Sequence, residues 1–228
     1  GFQGPDQEPA PPTGAIADNP SGISAITISD ASVGTGHNLG GHGNSDGCFF
    51  WDFYSTAAGL SSKLIFEKLD FSGTTGNLLT FAHAYAQYTS ESDQLKISVS
   101  TDCGATWTPV WIGSGAALAT APAHGNNTRF WPEINEWVDN TVDLSAYDNA
   151  PDVMIAFEGI SDFGNDLFID DINTSSANAE SFDCIGINCV DPGDGTGMYS
   201  SFSACQTACP PTGLEEEKSS ISIYPNPS

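Results

Sequence analysis

The chain has 228 residues, with 29 acidic side chains against 5 basic ones, so its formal net charge at neutral pH is −24. Such a surface repels nucleic acid and anionic membranes, and it favours cations or basic partners. Hydrophobic residues make up 39% of the chain and aromatic residues 11%, which excludes a disordered acidic tail. No stretch has the ~20 apolar residues of a membrane helix, so we expect a folded protein without membrane insertion.

The start of the chain and its cysteines indicate the cellular compartment. Residues 1–12, GFQGPDQEPAPP, lack the basic and apolar segments of a signal peptide, so we expect a mature protein or a piece of a longer one. Four of the six cysteines lie within residues 184–209, a density that predicts disulfides and an oxidising compartment. The protein is therefore expected to be secreted or on the cell surface.

Short runs of alternating apolar and polar residues predict β-strands over the first 173 residues. In residues 77–88 the large side chains alternate with three alanines, which would let a second layer approach this face closely. No segment keeps a helical period. The predicted strands are residues 24–30, 48–54, 62–69, 77–88, 93–101, 106–112, 136–143, 153–158 and 166–172. About nine short strands joined by Gly, Asn, Asp and Ser turns predict two packed antiparallel sheets, a sandwich or a jelly roll.

Residues 98–107, SVSTDCGATW, contain the S-x-D-x-G-x-T-W pattern known as the Asp-box, which is familiar from sialidases. Physically the pattern predicts a β-hairpin turn in which Asp102 accepts backbone N–H groups, Gly104 relieves strain and Trp107 packs beneath. A sialidase would also need several copies and a cluster of arginines. This chain has one copy and one arginine, Arg129, so we interpret the pattern as a folding device.

Longer stretches resemble a known family. The run LLTFAHAYAQYTSESDQLKISVSTDCGATWTPVWIGSG, followed by EWVDNTVDLSAYDNAPDVMIAFEGISDFGNDLFIDDI, resembles the MAM-like jelly-roll modules of secreted Bacteroidetes proteins. The front end, GFQG…PAPPTGAIADN, is similar to the opening of those modules, although Gln3 and Ala15 stand where the family has Glu and often Trp. The resemblance covers residues 1–173 and implies a jelly roll. In the family these modules are non-catalytic, and they follow pappalysin-type zinc metalloproteases or lie within adhesins.

Composition shifts divide the remaining chain. Residues 174–181 read as a polar linker, residues 182–212 as a disulfide-stapled mini-module that resembles a small repeat following such modules, and residues 213–228 as a separate end segment. The end, ISIYPNPS, resembles the start of a type IX secretion sorting domain. This resemblance implies passage through the type IX secretion machinery. Because such domains usually continue further, we expect a truncated chain or a fragment of a longer protein.

A structural calcium ion is the sharpest chemical expectation. Calcium takes six to eight oxygen ligands, and jelly-roll modules of related shape often hold a cation where the last strand meets an early loop. Asp171 follows Ile169 by two residues, so the alternation predicts that its side chain faces the interior, where a cation would offset the cost of burial. The alternative is a strand end capped in water. The predicted ligands are Asp30, Asn44, Asp46, Asp170 and Asp171.

The cysteines are expected to form three bridges. Four cysteines in the mini-module allow three pairings, and we favour the interleaved one, Cys184–Cys205 with Cys189–Cys209. The other two, Cys48 and Cys103, are expected to pair across the sandwich, the alternative being two thiols that never meet.

The long loop HGNNTRFWPEINEW offers the best candidates for ligand binding, because loops between sandwich strands usually carry function. Arg129 and Trp131 are the predicted contacts; alternatively the loop folds over a sheet with Trp131 as its plug. We therefore expect a non-catalytic, cation-stabilised adhesion module that binds a protein or a glycan on a surface. The alternatives are a carbohydrate-binding module that targets a parent enzyme, the C-terminal part of a zinc metalloprotease, and a hydrolase in its own right.

Overall fold

The computed structural model describes residues 15–18, 25–29, 39, 47–178, 181–193 and 196–209. The chain divides into two compact units, Gly1–Ala177 and Asn178–Ser228. No helix within the described residues is long and apolar enough to cross a membrane.

Ten strands form two five-stranded sheets in the described part of residues 15–178. They are β1 (Ala15–Asp18), β2 (Ala25–Ser29), β3 (Gly47–Trp51), β4 (Ser61–Phe66), β5 (Thr74–Tyr85), β6 (Gln94–Ser100), β7 (Thr108–Ser114), β8 (Val138–Asp143), β9 (Met154–Ile160) and β10 (Leu167–Asn178). Sheet A has the order β1-β4-β9-β6-β7, and sheet B has the order β2-β3-β10-β5-β8. Three short 3-10 turns complete this part: Gly115–Ala117, Ile134–Glu136 and Ser145–Tyr147.

The predicted antiparallel jelly-roll sandwich is confirmed. The strand pairs whose register is described are all antiparallel, and most connections cross from one sheet to the other. All nine predicted strands are present, as β2 to β10. The sequence did not predict β1, because its four residues, AIAD, are too few to show an alternation.

Alternation along the strands builds the inner core between the two sheets. Trp51 projects from sheet B so far that its indole covers Gly159 of sheet A, where a Cβ would collide with the ring. A glycine at this position therefore allows the close approach of the two layers. Buried members of this core are Leu64, Leu95, Ile97, Ile155 and Phe157 from sheet A, and Trp51, Leu79, Phe81, Tyr85, Leu167 and Ile169 from sheet B.

A second apolar layer covers the outer face of sheet B. The β7–β8 connection, residues 115–137, folds across this face and buries Phe130 and Trp137 against it. Three fully buried alanines lie beneath: Ala82 and Ala84 of β5, and Ala86 directly after its end. The close second layer that the small residues predict is thus confirmed, and a loop rather than a sheet supplies it.

The second unit is a hairpin packed against a helix. Strands β11 (Asp183–Ile185) and β12 (Asn188–Val190) pair antiparallel, with Cys184 opposite Cys189. Helix α1 (Phe202–Ala208) begins after Ser201, whose Oγ accepts the Ala204 N–H at 3.2 Å, as an N-cap does. The helix is too short to be predicted from periodicity.

The disulfides of the second unit are nested, so the predicted interleaved pairing is wrong. Cys184 bonds to Cys209, and Cys189 bonds to Cys205. The spacing of the cysteines does not determine the direction in which the helix crosses the hairpin. That direction decides which helical cysteine meets which strand.

The predicted bridge between Cys48 and Cys103 is also wrong, because neither residue forms a disulfide. Cys48 is buried in β3 on the outer face of sheet B. Cys103 is exposed in the β6–β7 turn of sheet A. A side chain that points away from the opposite sheet cannot reach a turn on that sheet.

Candidate functional site at one end of the sandwich

Four connections leave the strands at the same end of the sandwich. The register aligns Ser61, Ile160, Gln94 and Ser114, where strands of sheet A begin or end, and Leu167 pairs with Trp51 at the same end of sheet B. We call these connections together the loop end, and they are residues 52–60, 86–93, 115–137 and 161–166.

A buried carboxylate, Asp93, organises the last of these connections. It is fully buried and accepts N–H bonds from Asp162 at 2.6 Å, Gly164 at 3.2 Å and Asn165 at 3.0 Å. The Tyr85 hydroxyl donates a further bond at 2.9 Å. Burial raises the pKa of Asp93 above its ordinary value, against the opposing effect of these hydrogen bonds. The carboxylate therefore fixes the 161–166 connection to the core.

A second buried carboxylate, Asp166, ties three connections together. It accepts the Tyr54 N–H at 3.2 Å and a guanidinium N–H of Arg129 at 2.8 Å. Arg129 also pairs with Asp52 at 2.9 Å and donates to Ser55 Oγ at 2.8 Å. Burial raises the pKa of Asp166 well above its ordinary value, and the charge of Arg129 opposes the shift.

The predicted contact Arg129 thus lies at the loop end, but two carboxylates already neutralise its charge. Its guanidinium also stacks over the Tyr54 ring at 5.2 Å. Only 16% of its side chain is exposed. The structure therefore gives Arg129 a positioning role between loops, and its contact with a ligand stays a prediction.

Trp131 covers sheet B. Its ring stacks on Phe50 at 6.3 Å between centroids and lies 5.8 Å from that of Phe168. The residue is only partly buried. This arrangement matches the alternative in which the loop folds over the sheet with Trp131 as its plug, and a ligand contact by Trp131 stays a prediction.

Phe163 is the residue that the sequence reasoning missed. The residue is 60% exposed. Within the described part of the first unit it is the one exposed aromatic residue. Its φ of 62° is in the left-handed region, where a bulky residue is an outlier. The sequence signalled only a turn, DFGND, since composition gives no measure of backbone strain.

Two tyrosines and an asparagine lie next to Arg129, whose guanidinium stacks on the first tyrosine, Tyr54. The rings of Tyr54 and Tyr88 meet edge to face at 6.0 Å, and the Tyr88 hydroxyl donates to Asn127 at 2.7 Å. Glu91 accepts the N–H groups of Thr89 and Ser90 at 2.8 and 2.9 Å. Hydrogen bonds from Thr89 and from the local backbone lower the pKa of Glu91 to about 2. The loop end is thus extensively hydrogen-bonded and can present polar groups in fixed positions.

The predicted calcium ligands are described only in part. Asp30, Asn44 and Asp46 lie outside the described residues, and Asp170 and Asp171 are half-buried. Asp171 has a φ of 51°, and Ile172 packs on the inner core. A left-handed residue interrupts the strict alternation on which the inward direction of Asp171 was predicted, as a bulge does, so that direction stays a prediction. The two described residues, Asp170 and Asp171, supply fewer oxygens than the six to eight that calcium takes.

The described residues contain one group of three ligating side chains within 4.8 Å of one another, the sulfurs of Cys184, Cys205 and Cys209. These sulfurs belong to the two disulfides. The group therefore has no thiolates with which to bind a metal ion.

The Asp-box is a turn, as predicted. Ser100 Oγ accepts the Gly104 N–H at 2.9 Å, and Asp102 accepts the Thr106 N–H at 2.8 Å. Hydrogen bonds from Thr106 and Ser100 lower the pKa of Asp102 to about 2. Trp107 is half-buried next to Gly104. All of these groups serve the hairpin itself.

The one buried histidine of the described residues is also part of the structural framework. His83 is 4% exposed, and its Nε2 lies 2.9 Å from the Leu118 carbonyl oxygen while its Nδ1 lies 2.8 Å from Asn140 Nδ2. Burial lowers the pKa of His83. Both ring nitrogens are thus occupied by partners that stabilise the fold.

These features define a β-sandwich of the jelly-roll type with a preorganised loop end. Comparison with solved structures places the K2 cleaved adhesin domain of Lys-gingipain among its structural neighbours, with a TM-score of 0.50, 15% identity, and coverage of 75% of this chain and 94% of that chain. The K3 cleaved adhesin domain of Lys-gingipain from Porphyromonas gingivalis W83 matches with a TM-score of 0.42 and 19% identity, covering 71% and 98%. TmCBM61 in complex with β-1,4-galactotriose matches with a TM-score of 0.42 and 10% identity, covering 72% and 89%. At these identities the likeness concerns the fold.

No protein-family model matches the chain. The search of curated proteins found no match either.

Proposed function

We propose that this chain is a non-catalytic adhesion module of a secreted or cell-surface protein, and that it binds a protein or a glycan through the loop end. The name of the K2 domain, whose fold the chain shares, describes an adhesin domain. The two disulfides of the second unit support an extracellular location.

The observation that carries the proposal is the bracing of the loop end by two fully buried carboxylates. Asp93 and Asp166 together accept backbone or side-chain donors from all four connections or from the strands beside them. Bringing ionisable groups into the interior costs free energy unless they are well paired. Short turns would be enough to connect the strands of the sandwich. Long loops held in fixed positions are what a binding surface requires.

The finer parts of the assignment rest on the sequence and are also proposals. They are the MAM-like character of residues 1–173, the linker at 174–181, the mini-module at 182–212 and the type IX sorting segment at 213–228, of which 210–228 lie outside the described residues. They favour a parent protein that is an adhesin or a pappalysin-type zinc metalloprotease.

Calcium stabilisation is a further part of the proposal, and strand register supports it. Ser29 at the end of β2 pairs with Gly47 at the start of β3, and in the sequence Asp30 follows the first residue while Asp46 precedes the second. The β10–β3 ladder ends with Ile169 opposite Phe49, so Asp170 and Asp171 continue toward the same end of β3. The described ends of β2 and β3 and the continuation of β10 thus lie at one corner of sheet B, and Asp30 and Asp46 flank those strand ends in the sequence.

Adhesion can be tested with the purified chain on plate-bound mucin and plate-bound fibronectin, each in native and enzymatically deglycosylated form. We expect saturable binding to at least one of these surfaces and loss of that binding in Phe163→Asn. Ile112→Asn, which changes an exposed side chain of β7 on another face, should bind like the wild type. Absence of saturable binding to all four surfaces would contradict the proposal.

A further inference from the structure

Phe163 combines two features that each lower stability. A phenylalanine that is 60% exposed keeps apolar surface in water, and a φ of 62° places a bulky residue in the left-handed region. Such outliers persist only where the surrounding structure imposes them, and they cluster at binding and catalytic sites. The conformation of this residue therefore calls for an explanation outside the folding of the chain.

The surroundings hold Phe163 in this conformation from both sides. Its own N–H donates to Ser161 Oγ at 3.0 Å, and the N–H groups of the neighbouring residues Asp162 and Gly164 both donate to Asp93 Oδ1. Ser161 Oγ in turn donates to the Thr56 carbonyl at 2.9 Å. The ring is consequently presented outward by a rigid base, which reduces the entropy lost on binding a ligand.

The groups around the ring are hydrogen-bonding groups with little free positive charge. Asp162 is exposed and accepts the Ser92 N–H with Oδ2 at 2.8 Å, while its Oδ1 has no hydrogen-bond partner among the described residues. Across the four connections the one cationic side chain of the Lys/Arg type is Arg129, which is already paired. The carboxylates there are Asp52, Glu91, Asp93, Glu133, Glu136, Asp162 and Asp166.

An exposed aromatic ring surrounded by acidic hydrogen-bonding groups fits a neutral sugar and disfavours an anionic one. The C–H face of a sugar ring packs on an aromatic ring, and carboxylate, amide and hydroxyl groups at the edge pair with sugar hydroxyls. A uronate or a sulfated sugar would meet an acidic rim and no unpaired cation, so Coulomb repulsion opposes its binding.

We propose that Phe163, together with Asp162 and the 88–92 segment, forms a binding site for a neutral sugar ring at the loop end. This inference rests on the proposed adhesion function and names the class of ligand. Phe163 would act as the central apolar anchor of the site, and Asp162 Oδ1 as an acceptor for a sugar hydroxyl.

Isothermal titration calorimetry with defined oligosaccharides tests the site. The probes are cellotriose, galactotriose, mannotriose and triacetylchitotriose as neutral ligands, and trigalacturonate as the anionic ligand. We expect binding of at least one neutral probe, at least about tenfold weaker binding of trigalacturonate, and at least about tenfold loss of affinity for the neutral probe in Phe163→Asn. Phe163→Tyr keeps an aromatic ring and should retain binding.

The melting temperature of Phe163→Asn shows whether a loss of binding in this variant comes from a loss of folding. Asparagine tolerates the left-handed region better than phenylalanine, so Phe163→Asn should melt at or above the temperature of the wild type. A clear fall in the melting temperature would show that Phe163 supports the fold, and would overturn the proposal. Failure of all four neutral probes to bind, or unchanged binding in Phe163→Asn, would overturn it too.

The failure of the sugar site is distinguishable from the failure of the adhesion function. A chain that adheres to deglycosylated fibronectin and ignores the oligosaccharides would retain adhesion and lose the sugar site. A chain that ignores all surfaces and all probes would lose both.

Discussion

Gly164 lies directly against the carboxylate of Asp93, so closely that a Cβ at this position would overlap Oδ2. The same glycine donates its N–H to Asp93 Oδ1 at 3.2 Å. The absence of a side chain therefore lets the 161–166 connection fold over a buried carboxylate and hydrogen-bond to it. This contact joins the core of the sandwich to the exposed ring of Phe163.

The first prediction concerns that contact. Gly164→Ala forces either the loop or the carboxylate to move, and overpacking of this kind costs about 1–3 kcal/mol. Urea denaturation should show this loss in the free energy of unfolding. Gly113→Ala serves as the comparison for overpacking against apolar side chains. Its Cβ would meet the ring end of Trp111 and a Leu118 methyl rather than a carboxylate. A Gly164→Ala variant as stable as the wild type would contradict the assignment of Asp93 as the anchor of the loop.

The second prediction is a pH dependence caused by Asp93. Its pKa is raised in the folded protein, so the folded state binds more protons than the unfolded state between the ordinary carboxyl pKa of about 3.9 and the raised value. Stability contributed by this group therefore rises as the pH falls through that window. In Asp93→Asn the residue no longer titrates, and an amide cannot accept all four hydrogen bonds, which costs about 2 kcal/mol or more.

The measurement compares the free energy of unfolding of wild type and Asp93→Asn from pH 7.5 down to about 4, close to the ordinary carboxyl pKa. The deficit of the variant should grow as the pH falls, because only the wild type gains from protonation at this site. His83 titrates in the opposite sense, since burial lowers its pKa, but it is present in both proteins and cancels. A deficit that shrinks on acidification would show that the folded-state pKa of Asp93 is below its ordinary value.

Much of the fold could be predicted because strand alternation is a local signal. The faces of β5, with Leu79, Phe81 and Tyr85 inward and Ala82 outward, follow from the two-residue period alone. The Asp-box turn was equally predictable, because its hydrogen bonds join residues within seven positions. By contrast, the pairing of Cys184 with Cys209 depends on a helix direction that no local pattern encodes.

The loop end was less predictable for a related reason. Arg129 and Trp131 stood out as a charged and an aromatic residue in a long loop, yet their partners Asp52, Asp166 and Phe50 are distant in sequence. Phe163 did not stand out, since its exposure depends on a backbone conformation imposed by Asp93, 70 residues earlier in the chain. Long-range contacts of this kind decide whether a loop residue anchors a fold or faces a ligand.

The third prediction is a stabilising substitution. Ser62 is fully buried in β4, and its Oγ has no hydrogen-bond partner among the described residues. Ser62→Ala removes this unsatisfied group and should raise the free energy of unfolding by about 1 kcal/mol. Ser100→Ala is the matched control, because that hydroxyl is equally buried but accepts the Gly104 N–H. The control should lose about 1 kcal/mol, and a loss in both variants would contradict the assignment of Ser62.

The fourth prediction concerns the thiols. Non-reducing peptide mapping should recover Cys184 linked to Cys209 and Cys189 linked to Cys205. Titration of the native protein with Ellman's reagent should find one reactive thiol, Cys103, because Cys48 is 3% exposed. A second thiol should react only after unfolding in urea. Recovery of a Cys48–Cys103 peptide would contradict the described positions of both residues.

The fifth prediction tests the proposed calcium site through stability. A ligand that binds only the native state raises its stability, by about 2.7 kcal/mol at a concentration one hundred times Kd. EDTA should therefore lower the melting temperature of the wild type, and excess calcium should restore it. Asp30→Asn should abolish this response, because Asp30 follows directly on the Ser29–Gly47 pair at the corner of sheet B. Asp139→Asn, on the exposed part of β8, should respond like the wild type. Equal melting temperatures of the wild type in EDTA and in calcium would rule out a calcium ion that stabilises the native state, because such an ion must be linked to unfolding.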